Sequence, residues 1–324
     1  MPNEIELKLR ISAHDEQRLK DHPAIKRHLV GEPISRKLIS IYYDTPDFAL
    51  LDAGLNLRVR SMSGGWFQAI KSSGHSIGGL HQRLEWEDLL TKNEPDFNKI
   101  TDPHLLNIFS DKSLREALKP IFVVDVMRTD WNLKFPDKTE LEVSFDNGDL
   151  KICNTRVWEQ VSPIQEVELE LKGGKKSHLF ELALALQETI PLIIENMSKA
   201  QRGYDYLRPL PTIKSQTFRP KHIGKNPSPK DLVQDAMSSI EMNQEILLKV
   251  NHTAAVYQMR LAKNQIVSAF STLKNTKGLI DELNWLDLFL ITPCNHYAYL
   301  KLLTILNGQR YQRLLLKIGA WLNK

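Results

Sequence analysis

The sequence predicts an α+β protein in two parts: a closed β-barrel with helices packed outside it, followed by a C-terminal α-helical bundle. Up to about residue 207, short stretches rich in Val, Ile, Leu, Trp and Phe alternate with turn signals. Residues 208–229 contain five prolines and scattered basic residues, a composition typical of a linker. Residues 230–324 carry apolar residues at helical spacings of three and four.

Composition and charge exclude several classes of protein. The chain of 324 residues is 42% apolar and 25% charged, as expected for a globular protein rather than a disordered or membrane one. Its net charge of +4 is too close to balance to indicate a nucleic-acid partner. Two distant cysteines, Cys153 and Cys294, indicate neither a disulfide framework nor a structural zinc site. Because the sequence has no signal-peptide pattern and no apolar run of ~20 residues, we expect a cytoplasmic protein without a membrane partner.

The small net charge is the sum of an acidic first part of the chain and a basic second part. Residues 211–324 contain 15 basic and 7 acidic side chains, whereas residues 1–210 contain 28 basic and 32 acidic ones. We therefore predict a first domain over 1–207, a linker over 208–229 and a helical domain over 230–324. Helices are predicted over residues 13–21, 104–118, 176–189, 230–250, 253–274, 279–291 and 296–322.

The charged residues of the predicted strands share one face. Glu4, Glu6 and Lys8 have equal parity and lie on one side of the first strand, with Ile5 and Leu7 on the other. One half-buried strand with a solvated face would show the same alternation. The pattern recurs, however, in strand after strand: Arg58 with Arg60, Arg83 with Glu85 and Glu87, Glu140 with Glu142 and Asp146, and Glu166 with Glu168 and Glu170.

This recurrence predicts an inside-out barrel. A helix such as residues 176–189 needs an apolar sheet surface to pack on, so the charged faces are left to line the interior. Acidic side chains gathered there resist ionisation unless cations lie among them, and all-oxygen ligands favour Mg²⁺ or Mn²⁺. The interior bases Lys8, Arg58, Arg60 and Lys71 would bind an anion with several oxygens. We therefore expect a polyphosphate ligand.

Six ordered blocks of sequence resemble the CYTH superfamily, the triphosphate tunnel metalloenzymes. They are EIELK (Glu4 to Lys8), YYDTPD (Tyr42 to Asp47), LRVR (Leu57 to Arg60), GLHQRxE (Gly79 to Glu85), EVELEL (Glu166 to Leu171) and SKAxRGY (Ser198 to Tyr204). The resemblance covers about residues 1–207 and is strongest with bacterial inorganic triphosphatases that join a CYTH domain to a CHAD domain. It implies an eight-stranded antiparallel tunnel that hydrolyses inorganic triphosphate with two Mg²⁺ or Mn²⁺ ions.

The resemblance also implies roles for individual residues. Lys199 and Glu170 are the candidate catalytic residues. The candidate metal ligands are Glu4, Glu6, Asp146, Glu168 and Glu170. The candidate substrate-binding residues are Lys8, Arg58, Arg60, Lys71, Arg83, Arg128, Lys199 and Arg202.

Several charged residues have a structural alternative. Arg128 could form a salt bridge at the rim, and Arg202 could anchor the returning C-terminal segment. Glutamates that could balance the bases rather than bind metal are Glu140, Glu142 and Glu166.

Residues in two turns are expected to have no role in metal binding. Asp44 and Asp47 are expected to be turn and capping residues. His75 and His81, in a glycine-rich loop, are not expected to form a metal pair.

Other activities stay open. Within the superfamily they are those of a thiamine triphosphatase, an RNA 5′-triphosphatase and an adenylyl cyclase. A relative that uses nucleosides would need a base-binding pocket, of which the sequence gives no sign. The chain could also be a non-enzymatic triphosphate sensor, although a simple anion receptor would carry bases without the acids.

Residues 230–324 resemble a shortened CHAD domain, a polyphosphate-binding domain. The segment from Val256 to Leu261 resembles its first motif, but Tyr257 stands where the family has histidine. Of the basic residues of that helix, Arg260 and Lys263 are kept. Polyphosphate is therefore an expected partner of this segment, with an assembly module or a basic helical bundle with solvated lysines as alternatives.

Overall fold

The chain forms two compact units in the computed structural model, which describes residues 3–62, 64–154, 157–208, 217–218, 226–291, 293 and 295–324. Within these residues, the first unit contains 3–76, 81–174 and 197–208, and the second contains 77–80, 175–196 and the described residues after 210. Most of the predicted linker, Cys294 and the side chains of His75 and Cys153 lie outside the described residues.

Ten strands lie in the described part of the chain. They are β1 (Asn3–Arg10), β2 (Ile34–Asp44), β3 (Leu55–Met62), β4 (Gly65–Ser72), β5 (His75–Ile77), β6 (Leu80–Leu90), β7 (Lys119–Lys134), β8 (Glu140–Asn154), β9 (Val157–Gly173) and β10 (Ile193–Ile194). Eight of them pair in the order β1-β9-β8-β7-β2-β3-β4-β6, and β6 pairs with β1 to close the ring. Neighbouring strands run antiparallel. The predicted eight-stranded antiparallel barrel is confirmed.

Twelve α-helices accompany these strands in the described residues. They are α1 (Glu16–Lys20), α2 (Pro23–Lys26), α3 (Ala49–Asp52), α4 (Pro103–Phe109), α5 (Lys112–Ala117), α6 (Ser177–Leu186), α7 (Lys199–Leu207), α8 (Pro229–Lys249), α9 (Thr253–Ser271), α10 (Lys277–Trp285), α11 (His296–Leu306) and α12 (Gln309–Leu322). Helices α8–α12 form the predicted helical C-terminal region. None of the described helices is long and apolar enough to cross a bilayer.

Two helices predicted as continuous are each broken in two. The helix predicted over 104–118 is α4 and α5, because Asp111 caps a new helix by accepting the backbone N–H groups of Ser113 and Leu114. The helix predicted over 296–322 is α11 and α12, which are separated by Asn307 and Gly308.

The inside-out arrangement is visible in β3. Leu57 and Val59 lie in one buried apolar cluster with Leu105 and Phe109 of α4, so this face of the strand packs outward under a helix. Arg58, of opposite parity, lines the interior. The alternation of apolar and charged residues thus separates the outer packing surface from the lumen.

Helix α6 packs on α12 within the second unit. That residues 176–189 cover the apolar face of the sheet stays a prediction. The two helices approach closely at Gly319, where a Cβ atom would lie 2.6 Å from the Phe180 ring. The partner of α6 lies more than 120 residues away, which local periodicity does not show.

Helix α7 fills one end of the barrel interior. Ala200 and Tyr204 share a buried apolar cluster with Phe122 and other residues of β2, β7, β8 and β9. Gly203 makes this close approach possible, because a Cβ atom there would lie 2.5 Å from the Phe122 ring. The Tyr204 hydroxyl donates to Asp44 Oδ2 at 2.8 Å. The interior is therefore apolar where α7 enters and charged beyond it.

Asp44 joins α7 to the turn that follows β2. Its carboxylate also accepts the backbone N–H groups of Thr45, Leu50 and Leu51, which begin the turn and helix α3. Asp47 accepts the Thr45 hydroxyl at 2.6 Å. Both aspartates lie in the turn and capping positions expected of the YYDTPD block.

A buried carboxyl holds the turn of residues 77–80 in the second unit. Gly78 and Gly79 have positive φ angles of 63° and 76°. The Gly78 N–H donates to Glu241 Oε1 of α8 at 2.6 Å. Burial raises the pKa of Glu241 to about 8, although the hydrogen bonds from Gly78 and Asn196 favour the ionised form.

Substitution of Gly203 tests the packing of α7. Gly203→Ala should lower the free energy of unfolding by about 1–3 kcal/mol, because the new methyl group overlaps the Phe122 ring. Gly173→Ala is the matched control, since a Cβ atom there meets nothing within 4 Å. Urea unfolding of both variants measures the difference. Equal stability of the two variants would show that α7 does not pack tightly on Phe122.

Titration of Glu241 should make stability depend on pH. Its folded pKa of about 8 lies above the ordinary value of 4.5, so the folded state holds more protons between these values. Stability conferred by this group is therefore present below pH 4.5 and is lost as the pH rises towards 8, by up to ~1.4 kcal/mol per pH unit. Thermal unfolding from pH 5 to 9 should show this decline in the wild type relative to Glu241→Gln. Parallel curves for the two proteins would contradict it.

Candidate active site

The charged part of the barrel interior encloses a cavity of about 280 Å³. Among the described residues, nine basic and seven acidic side chains line it. The cavity brings together eleven of the thirteen site residues predicted from the sequence: Glu4, Glu6, Lys8, Arg58, Arg60, Lys71, Arg83, Arg128, Glu168, Glu170 and Lys199. The other two, Asp146 and Arg202, do not line it.

Strand register gathers the acidic residues on β1, β9 and β8. Glu6 lies opposite Glu170, and Glu170 lies opposite Glu142 on the next strand. Two residues further along, Lys8 lies opposite Glu168. We call the residues Glu4, Glu6, Glu142, Glu168 and Glu170 the acidic wall. Cross-strand neighbours have Cβ atoms ~5 Å apart, so these carboxylates repel one another unless cations lie between them.

Basic side chains of β4 and β6 compensate the β1 part of the acidic wall. Arg83 binds Glu4 and Glu6, each at 2.7 Å. Lys71 binds Glu4 at 2.8 Å. Burial alone would raise the pKa of Glu4, but the positive charges of Lys71 and Arg83 outweigh it and lower that pKa well below its usual range. Glu4 is therefore held as a carboxylate.

Lys199 joins three carboxylates behind the cavity. Its Nζ lies 2.7 Å from Asp146 Oδ2 and 2.9 Å from Glu168 Oε1, and it also contacts Glu166. Oxygen atoms of these three acids lie within 4.8 Å of one another. Arg128 binds Asp146 through two nitrogens, at 2.6 and 2.5 Å, and Glu168 at 2.6 Å. Asp146, fully buried, thus pairs with bases and does not face the cavity.

The paired bases fix the charge state of this cluster. Burial would raise the pKa of Asp146, but Arg128 and Lys199 lower it to about 2. Burial would lower the pKa of Lys199, but Asp146, Glu166 and Glu168 raise it well above its usual range. Arg202 binds Glu166 and does not line the cavity, and its role in substrate binding stays a prediction.

On the opposite side of the barrel, carboxylates compensate the positive charge of the arginines less completely. We call Arg36 of β2 and Arg58 and Arg60 of β3 the arginine wall. In the ring of eight strands, β2 and β3 lie directly across from β1 and β9. Arg58 has Glu85 at 3.5 Å, and its buried Nε has no hydrogen-bond partner in the described residues.

Among the described residues, the positive charge of Arg60 is compensated even less than that of Arg58. Arg60 donates to Ser40 Oγ at 2.9 Å and has no carboxylate within 4 Å in the described part of the chain. Burial and the charges of Arg58 and Arg128 lower the pKa of Arg60 to about 10, so it stays a cation at neutral pH. The arginine wall therefore offers positive charge to an anionic ligand.

The N-terminus of α7 also faces the cavity. Ser198 caps the helix by accepting the Gln201 N–H, and Ser198, Lys199 and Ala200 line the cavity. The positive end of the helix dipole favours an anion there. Lys172 and Arg36 are 41% and 25% exposed, against 6% for Lys199, so the cavity opens on the side away from α7.

Four cavity-facing carboxylates, those of Glu4, Glu6, Glu168 and Glu170, fit a hard divalent cation. They offer only oxygen atoms, the donors that Mg²⁺ and Mn²⁺ prefer. Glu170 is paired with Lys172 at 2.7 Å, and burial raises its pKa despite this lysine. A cation at Glu170 would therefore relieve a carboxylate that its surroundings compensate incompletely.

Several lining residues are absent from the predicted site. Tyr42 is buried with its ring stacked on Phe122, at a centroid distance of 4.5 Å. The charged ones are Arg36, Glu85, Glu87, Glu142 and Lys172. Strand parity could have identified all of these except Arg36, because each of the others shares a face of β6, β8 or β9 with a predicted residue.

Other residues singled out from the sequence lie outside the cavity. Glu140 forms an exposed pair with Lys134 at 2.6 Å, as expected of a balancing residue. Glu166 is fully buried against Lys199 and does not line the cavity. His81 is buried, and the absence of a histidine metal pair stays a prediction.

Comparison with known protein families matches the part of the chain that carries the candidate site. Residues 2–204 match the CYTH domain family. An inorganic triphosphatase of Haemophilus influenzae is 34% identical over 206 residues, which are 63% of this chain and 55% of that protein. The chain thus spans about half the length of this relative.

Solved structures were also compared. A Hippeastrum protein described as having a dominant triphosphatase activity is 14% identical, with a TM-score of 0.44 over 61% of this chain and 93% of its own. The triphosphatase of the Mimivirus capping enzyme is 15% identical, with a TM-score of 0.35 over 57% of this chain and 89% of its own.

Removal of Lys199 should destabilise the barrel strongly. Lys199→Met removes a buried ammonium group that contacts three carboxylates and leaves them with one counter-charge fewer, so it should cost about 3–5 kcal/mol in the free energy of unfolding. Lys172→Met removes a pair that is 41% exposed and should cost less than about 1 kcal/mol. Urea unfolding at pH 7 measures both variants. Similar losses in the two variants would contradict the central place of Lys199.

Proposed function

The chain belongs to the CYTH family, which its residues 2–204 match, and on this premise we propose that it hydrolyses inorganic triphosphate to diphosphate and phosphate. The proposed site is the cavity of the barrel, and the proposed cofactor is Mg²⁺ or Mn²⁺, with two ions bound. The Haemophilus influenzae relative, named an inorganic triphosphatase, supports the choice of substrate.

The observation that carries this proposal is the placement of two unlike walls across one cavity. The arginine wall has positive charge to spare for an anion with several oxygens, since Arg58 and Arg60 are compensated weakly. The acidic wall lies on the facing strands and presents carboxylates. An anion on the arginine wall and cations between it and the acidic wall would satisfy both.

The proposed binding roles follow from these positions. Lys8, Lys71, Arg83, Arg128 and Lys199 would add contacts to phosphate oxygens. When bound, the metal ions supply positive charge to the phosphate oxygens and acidify the attacking water. Their proposed ligands are the cavity-facing carboxylates of Glu4, Glu6, Glu168 and Glu170. The proposal leaves Asp146 as a buried support, because it is paired with Arg128 and Lys199.

Glu170 and Lys199 are the proposed catalytic residues. Water attacks the terminal phosphorus, its proton passes to the Glu170 carboxylate, and the bond to the bridging oxygen breaks. Glu170 lines the cavity, where its carboxylate can accept a proton from water. Lys199, at the positive end of α7, stabilises the charge that develops on the leaving diphosphate.

The lining of the cavity favours an inorganic substrate over a nucleotide or thiamine derivative. Tyr42 is the single aromatic residue among the described lining residues, and one face of its ring is covered by Phe122. A base or thiazole ring would therefore find at most one face of a residue that is only 3% exposed.

Polyphosphate binding by the CHAD-like segment 230–324 stays a prediction, as does the cytoplasmic location. Of the two basic residues kept in that motif, Arg260 is exposed, which supports contact with an anion. Lys263 is buried and paired with Asp287 at 2.9 Å, so it would not contribute.

Phosphate release from tripolyphosphate tests the proposed function. Glu4→Gln and Glu168→Gln should each lower kcat/KM with Mg²⁺ or Mn²⁺ by at least about 100-fold, and EDTA should abolish turnover. Glu140→Gln, which alters an exposed pair, is the control and should keep the wild-type rate. Circular dichroism establishes that the variants are folded. If folded Glu4→Gln and Glu168→Gln turned over tripolyphosphate at the wild-type rate, the assignment would be overturned. If the wild type hydrolysed thiamine triphosphate or ATP faster than tripolyphosphate, that compound would replace inorganic triphosphate as the proposed substrate.

A further inference from the structure

Arg36 is a cavity-lining base that belongs to none of the six recognised sequence blocks. It lies on β2 and shares a face with Leu38 and Tyr42, which also line the cavity. Its neighbour Lys37 has the opposite parity, is 60% exposed and binds Asp125 at 3.3 Å. Arg36 therefore points inward, whereas the adjacent lysine points to solvent.

The surroundings of Arg36 leave its charge only partly satisfied. Its guanidinium binds Asp130 Oδ2 at 2.6 Å, but its Nε is buried without a hydrogen-bond partner in the described residues. Across the strand pair, Arg36 lies directly opposite Arg128. Two like charges in this position destabilise a sheet unless each is compensated. Arg128 has Asp146 and Glu168, whereas Arg36 shares Asp130 with the Ser144 hydroxyl.

Arg36 lies beyond the arginines that resemble the family motif. Arg60 pairs with Ser40 in the β2–β3 register, and Ser40 is four residues from Arg36, or about 13 Å along the strand. Arg58 and Arg60 are two residues apart, or about 7 Å. A phosphate chain held by Arg58 and Arg60 must therefore extend along β2 before its end reaches Arg36. Arg36 is also on the side where the cavity opens.

We propose that Arg36 binds the end of an extended phosphate chain and makes the cavity prefer linear polyphosphates of four or more phosphoryl groups over tripolyphosphate. This inference rests on the proposed function, since it assumes that Arg58 and Arg60 hold a phosphate chain. The unpartnered Nε and the opposed Arg128 are the features that a phosphoryl group would satisfy, because its oxygens accept several charge-assisted hydrogen bonds.

Calorimetric titration with tripolyphosphate and tetrapolyphosphate in EDTA tests this, because binding is then measured without turnover. Arg36→Gln should weaken tetrapolyphosphate binding about 10-fold or more and tripolyphosphate binding less than about 3-fold. Arg36→Lys should recover part of the loss. Lys37→Gln is the matched control and should leave both affinities unchanged.

A purely structural role for Arg36 would give a different result. If Arg36 served only to neutralise Asp130, the double variant Arg36→Gln/Asp130→Asn would bind both anions as the wild type does. Our inference requires that the double variant be folded and still lose affinity for tetrapolyphosphate. The double variant removes both charges of the pair, so it also tests the inference if Arg36→Gln alone fails to fold.

The outcomes separate this inference from the proposed function. Equal losses for the two chain lengths, or no loss, overturn the role of Arg36 and leave the triphosphatase proposal standing. Wild-type protein that binds both anions, with the expected dependence on Arg36, but releases no phosphate with Mg²⁺ or Mn²⁺ overturns the proposed function alone. Absence of binding to either anion in EDTA, together with no phosphate release from tripolyphosphate with Mg²⁺ or Mn²⁺, overturns both.

Discussion

The barrel depends on the compensation of carboxylates that its strands bury. Asp146 and Glu166 are fully buried, and Glu168 is nearly so. Lys199 contacts all three from the first turn of α7. An uncompensated carboxylate in such a place would cost several kcal/mol, so the ammonium group stabilises these residues together with Arg128 and Arg202. The position of α7 and the packing of β8 and β9 therefore depend on each other.

The same helix serves packing and electrostatics through different residues. Gly203 lets the helix approach Phe122, and Tyr204 reaches Asp44, which in turn caps α3. These contacts place the helix N-terminus against the cavity, where Ser198 and Lys199 meet the lining. The SKAxRGY and YYDTPD blocks are thus parts of one structural connection, although more than 150 residues separate them.

Parity in the sequence was sufficient to predict the inside-out barrel, because side-chain direction in a strand is a local property. Whether a side chain of that face reaches the cavity, in contrast, depends on contacts with distant parts of the chain. Asp146 has the parity of the lumen but is sealed behind Arg128 and Lys199, and this placement depends on the pairing of β7 with β8 and on α7. Arg36 shares the parity of Leu38 and Tyr42, but no residue of β2 was predicted to line the interior, and Arg36 lies outside the recognisable motifs. The partner of α6 could not be read from its own periodicity, because α12 supplies it from far along the chain.

The apolar packing of Ala200 and Tyr204 fills the end of the barrel interior where α7 enters. Arg36 and Lys172 also line the cavity, and both are partly exposed. An anion that enters beside these two residues meets basic side chains before it reaches Lys199, and it passes them again if it leaves by the same route. Their charges would therefore affect the departure of an anion as well as its arrival.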